Sequence, residues 1–120
     1  ARLEEAASSL DSLLGRYEDV KQKRQGDVVR TAVNGRASPA LAVQLQGSAM
    51  ARDAEDPVAF ADALEDYLSA AKAADGLAYS SAFAKSGNWK VNTPENYLEQ
   101  ARVEVVKMRK DLDAMLESLG

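Results

Sequence analysis

The sequence predicts an all-α fold: a compact antiparallel helical bundle of about four main helices with short connecting helices, in a single domain over residues 1–120. Three observations predict it. Each of the 3 prolines follows a residue able to cap a helix, in Ser38-Pro39, Asp56-Pro57 and Thr93-Pro94. Proline in the first helical turn forfeits an amide that has no partner there anyway, while the residue before it accepts a hydrogen bond from that turn. Apolar residues recur at steps of three and four over long stretches, and no stretch alternates as a strand would. Alanine is abundant and aromatics make up 6% of the chain, a balance that favours closely packed helices over a sheet sandwich.

The elements follow in order. Leu3, Ala6, Leu10, Leu13, Tyr17 and Val20 form one stripe and predict a helix over residues 2–23. Asp27 is placed to cap a brief helix over residues 28–33, which Asn34-Gly35 would end in a left-handed turn. Residues 39–51 predict another helix, with Leu41, Leu45 and Ala49 inward. From Pro57 onward Phe60, Leu64, Tyr67, Ala71, Ala74 and Ala78 make a third stripe. Gly76 lies within it at a cost of about 1 kcal/mol relative to alanine, which predicts a kink or break. Leu98, Ala101, Val105, Met108, Leu112, Met115 and Leu119 define the last helix, and Glu95 places negative charge at its positive end. The connections are short, as between antiparallel neighbours in a bundle.

The chain has no histidine and no cysteine. Histidine is the ordinary general base near neutrality, and imidazole and thiolate are the usual ligands of transition metals. Catalysis would then need a Ser–Lys pair or two converging carboxylates, and no motif marks either. Asp62 with Asp66 and Glu95 with Glu99 stand one helical turn apart. Four-helix di-iron proteins add Glu-x-x-His motifs to such carboxylates, and these are missing here. The expectation is a protein without catalytic residues, metal or cofactor. Met50, Met108 and Met115 fall on apolar stripes as core residues, and Lys107 with Asp111 and Arg109 with Asp113 have the spacing of surface ion pairs.

Charge is unevenly spread. Arg16, Lys21, Lys23, Arg24, Arg30 and Arg36 outnumber the acids around them, whereas Asp53, Glu55, Asp56, Asp62, Glu65, Asp66 and Asp75 face only Lys72. Such polarity orients a protein toward a charged partner, and it also serves simply to keep two faces solvated. The net charge is −4, and the basic segment has no interleaved aromatics to stack on bases, so no nucleic-acid partner is expected. The polar stretch over residues 85–92 holds the single tryptophan, Trp89, between Lys85 and Lys90. An amphipathic ring among cations suits an interface anchor, or else a plug for the end of the bundle, with Tyr79 and Phe83 able to seat it either way. Arg24, Arg30, Arg36, Trp89 and Lys90 are therefore the candidate partner-binding residues. No apolar run has the length of a bilayer span, and the start at Ala1 fits a removed targeting segment, which is the favoured reading, an unseen beginning or a cloned fragment.

Gly26-Asp27-Val28-Val29-Arg30, Ser38-Pro39, Ala74-Asp75-Gly76-Leu77-Ala78-Tyr79-Ser80-Ser81-Ala82-Phe83 and Thr93-Pro94-Glu95-Asn96-Tyr97 occur in that order ahead of a long charged final helix. Together they resemble the PsbQ-like small extrinsic subunits on the lumenal side of photosystem II in red-lineage algae, including diatoms. The resemblance spans most of the chain. Residues 31–37 depart from the glycine- and threonine-rich connection of that family. The likeness implies a helical bundle in the chloroplast thylakoid lumen, peripheral to the membrane. It also implies a role in stabilising photosystem II and its oxygen-evolving centre through contacts with the large membrane complex, with no cofactor and no homo-oligomer. Two other non-catalytic readings stay open: a linker subunit of photosystem I or its antenna, and a free helical module that grips a partner's amphipathic helix.

Overall fold

The computed structural model describes residues 2–84 and 93–120, and all of its regular structure is helical. Six helices follow one another: α1 (Arg2–Gly15), α2 (Tyr17–Gln22), α3 (Gly26–Asn34), α4 (Pro39–Ala51), α5 (Pro57–Ser81) and α6 (Pro94–Leu119). The four longest make a helical bundle, as the sequence predicts, and the two short ones connect α1 to α4. The result is a rod of 50 × 21 × 20 Å.

All three proline helices start where the sequence places them. The side chains of Ser38, Asp56 and Thr93 accept hydrogen bonds from the amides of Ala40, Ala59 and Asn96 respectively. Each such cap is worth about 1 kcal/mol.

Side-chain contacts fix the antiparallel arrangement. Between α1–α2 and α6, Asp11 meets Arg109, Glu18 meets Arg102 and Lys21 meets Glu99, so numbers rise on one side as they fall on the other. The amide of Asp56, the cap of α5, donates to the carbonyl of Ser118 near the end of α6. Ala40 of α4 meets Tyr67 of α5, and Gly47 lies against Leu64. Gly26 and Arg30 of α3 lie against Ala78 and Asp75 of α5 in the same sense.

The predicted stripes of the first, third and last helices are buried from Leu3 to Val20, Phe60 to Ala78 and Leu98 to Met115. Removing each large apolar side chain from water contributes roughly 1.5–3 kcal/mol. Met108 and Met115 lie in this core, with Met50 packed at its margin.

Four local expectations are corrected. The first predicted helix is two helices, interrupted at Arg16 after Gly15, although its stripe stays continuous. Asp27 does not cap α3: the helix begins two residues earlier, at Gly26, whose backbone abuts Ala78 and Ser81. Asn34-Gly35 is not a left-handed terminus. Gly35 is extended at φ −69°, and the left-handed residue is Arg24 at φ 55°, where the chain reverses between α2 and α3. Gly76 brings no break, since α5 runs unbroken from Pro57 to Ser81 with that glycine on its exposed side.

α4 presents a different face from the predicted one. Ala40, Val43 and Gly47 are buried, Leu41 is half-buried, and Leu45 and Ala49 are exposed. α4 is apolar on nearly every side, so periodicity alone selects no face; the small residues win because they let α5 come close. At the other end of the chain Ser118 takes the inward place expected of Leu119 and returns its hydroxyl to the carbonyl of Ala114.

Candidate docking surface

The structure separates the basic candidates by what holds them. Arg24 bonds Glu95 at 3.1 Å, joining the α2–α3 turn to the first turn of α6. Arg30 bonds Asp75 of α5 at 2.9 Å and lies 4.9 Å over the ring of Tyr79. The uneven charge read from the sequence is thereby partly cancelled, because a member of the basic segment is spent on a member of the acidic one. Arg36 makes no ion pair among the described residues, and neither does Arg16. Trp89 and Lys90 lie outside the described residues.

Arg16 and Arg36 share a groove. It runs between the outer face of α1 and the segment from α3 into the start of α4, with a volume of about 870 Å³. Ser8, Ser9 and Ser12 line it from α1, and Thr31 and Ser38 from the opposite wall; Glu5 and Asp27 add negative charge. The α1 face has this character because Glu5, Ser8, Ser9, Ser12 and Arg16 fall at helical spacing opposite the buried stripe. Ser38 and Gln44 fix the far wall by donating to the carbonyls of Ala32 and Val33, the last turn of α3.

Sequence reasoning missed Arg16 and the serine row. The signal was present in the spacing of Ser8, Ser12 and Arg16, but it became specific only once α3 was seen to stand opposite. Hydroxyls both donate and accept, and a guanidinium is a fixed fork of donors. Such a wall suits polar chain segments that carry carboxylates.

A second feature lies at the α3–α5 end. Tyr79 and Phe83 are 50% and 68% exposed, with ring centroids 4.9 Å apart. Arg30 and these two rings lie where α3 packs on α5, as Gly26 against Ala78 and Ser81 shows. Glu95 is held below the usual carboxylate range by bonding to its own amide and by Arg24, against the opposing effect of burial.

Remaining polar groups serve the fold. Tyr17 donates to the carbonyl of Leu98 while Arg102 stacks 4.9 Å over its ring, and burial pushes its hydroxyl well above the ordinary phenol range. Lys107 bonds Glu104 rather than the expected Asp111, whereas Arg109 does bond Asp113 and reaches Asp11 as well. Among the described residues, no cluster of acidic side chains is placed to hold a metal ion, and no helix is long and apolar enough to cross a membrane.

Compared with protein-family models, with curated proteins and with solved structures, the chain matches none.

Proposed function

We propose that the protein is a non-catalytic extrinsic subunit that docks on the lumenal side of photosystem II, peripheral to the thylakoid membrane, and stabilises the complex and its oxygen-evolving centre. The observation that carries the docking part is the groove in which Arg16 and Arg36 stand without ion pairs among the described residues, while Arg24, Arg30, Arg102 and Arg109 are each engaged within the chain. Cations left unpaired are available to an outside partner at no internal loss. Acidic, polar chain segments of a larger assembly are the matching chemistry. A rigid antiparallel rod suits a part whose work is to hold its neighbours in place.

The address rests on the ordered likeness of residues 26–30, 38–39, 74–83 and 93–97 to the PsbQ-like subunits. Fractionation of thylakoids from the native source tests it. The protein is expected to sediment with photosystem II at low salt and to be released by a salt wash, because exposed charge contacts are screened as ionic strength rises. Recovery with photosystem I or its antenna would move the address; recovery in a fraction free of both complexes would overturn the reading.

A further inference from the structure

The hydroxyls of the α1–α3 groove are as free as its cations. Ser81 and Ser118 return their hydroxyls to the carbonyls of Ala78 and Ala114 in their own helices, as serines within helices commonly do. Ser8, Ser9 and Ser12 on the α1 wall and Thr31 on the α3 wall make no side-chain hydrogen bond among the described residues. Ser8, Ser12 and Thr31 are also exposed.

A hydroxyl both donates and accepts, so hydroxyls on two facing walls match a ligand that offers donors and acceptors in turn. An extended chain does so, because its amides and carbonyls stand unpaired along both edges, whereas a helix spends its backbone groups on itself. Size agrees with chemistry. From Glu5 to Arg16 the α1 wall rises about 16 Å. Spread along that length, the groove's volume of about 870 Å³ gives a cross-section of about 50 Å². One extended strand fills about that area, at roughly 4.8 Å by 10 Å, and a helix at least about 10 Å across does not sink into it.

Charge narrows the match further. Arg16 and Arg36 bring two cations to the groove and Glu5 and Asp27 two carboxylates, and none of the four is ion-paired among the described residues. A chain acidic along its whole length is repelled by Glu5 and Asp27. The fitting segment carries carboxylates where it passes the arginines and is neutral elsewhere.

We infer that the groove takes one extended, non-helical segment of a partner protein, about five residues long, with carboxylates on Arg16 and Arg36 and its backbone on the hydroxyls of Ser8, Ser12 and Thr31. This rests on the groove being the docking surface of the proposed function, and it adds the form of what enters.

The test titrates the purified full chain, followed through its backbone amide NMR signals, with a capped peptide of about five residues in which two glutamates flank a proline that forbids a helix. A capped alanine-rich helical peptide with two glutamates one turn apart is the comparison. Saturable shifts are expected over residues 8–16 and 31–36 with the extended peptide and not with the helical one. Arg16→Gln/Arg36→Gln is expected to weaken binding about tenfold or more and to flatten its salt dependence. Ser8→Ala/Ser12→Ala is expected to weaken it about three- to tenfold with the salt dependence unchanged. Absence of groove shifts with the extended peptide, equal binding of the helical one, or full affinity in Ser8→Ala/Ser12→Ala would each overturn the inference. Attachment to photosystem II is read separately. A chain that binds the peptide but not the complex loses its proposed address and keeps the segment, whereas one that binds the complex but not the peptide loses the segment alone.

Discussion

Tyr67 of α5 donates its phenolic hydrogen to the carbonyl of Ala40 in the first turn of α4, at 2.8 Å and wholly buried. This bond ties the helix whose sequence selects no face to one whose face is unmistakable. Burial also drives the Tyr67 hydroxyl well above its ordinary range, which keeps it protonated as a donor near neutral pH. Tyr67→Phe removes the donor and leaves the carbonyl to its helical partner alone. The expected loss is about 1–2 kcal/mol in urea unfolding, and a loss indistinguishable from zero would show that the bond does not hold α4.

The face of α4 gives a paired prediction. Val43 is fully buried whereas Leu45 is 75% exposed. Val43→Ala is expected to cost roughly 1–3 kcal/mol through lost burial and the space left behind. Leu45→Gln should fall within about 0.5 kcal/mol of the wild type. The opposite ranking by thermal or urea unfolding would restore the inward Leu41–Leu45–Ala49 face.

Two glycines should respond with opposite signs. A Cβ at Gly26 would lie 2.6 Å from the carbonyl oxygen of Ala78, a backbone atom that cannot turn aside, so Gly26→Ala must push α3 away from α5. The cost expected of such overpacking is about 1–3 kcal/mol. A Cβ at Gly76 meets nothing within 4 Å, and the residue is mid-helix. Gly76→Ala should therefore stabilise by about 0.5–1 kcal/mol. A loss at Gly76 would mean that α5 needs a flexible point there.

These residues also show what can be read from a sequence. Stripes such as Leu98 to Met115 are legible because one side of the helix is apolar and the other charged, and the caps at Ser38, Asp56 and Thr93 are legible because they act within their own turn. Gly26 as a helix start, Gly47 as a contact for Leu64 and the exposure of Leu45 all depend on how near another helix comes, which no local pattern encodes. The docking surface follows the same rule. Arg24, Arg30 and Arg36 are alike in sequence, and only the positions of Glu95 and Asp75 set Arg36 apart; the packing of α1 against α3 puts Arg16 in the same groove.

The central claim, adhesion to photosystem II through the groove cations Arg16 and Arg36, is tested most directly by adding the purified chain and its Arg16→Gln/Arg36→Gln variant back to salt-washed photosystem II particles and measuring bound copies against salt concentration. The account predicts saturable binding of the wild type with restored oxygen evolution, a steep fall in affinity as salt rises, and a variant that binds about tenfold or more weakly at low salt with a flatter salt dependence. Binding that is unaffected by both salt and the double substitution would contradict attachment through Arg16 and Arg36, and failure of the wild type to bind at all would contradict the claim itself.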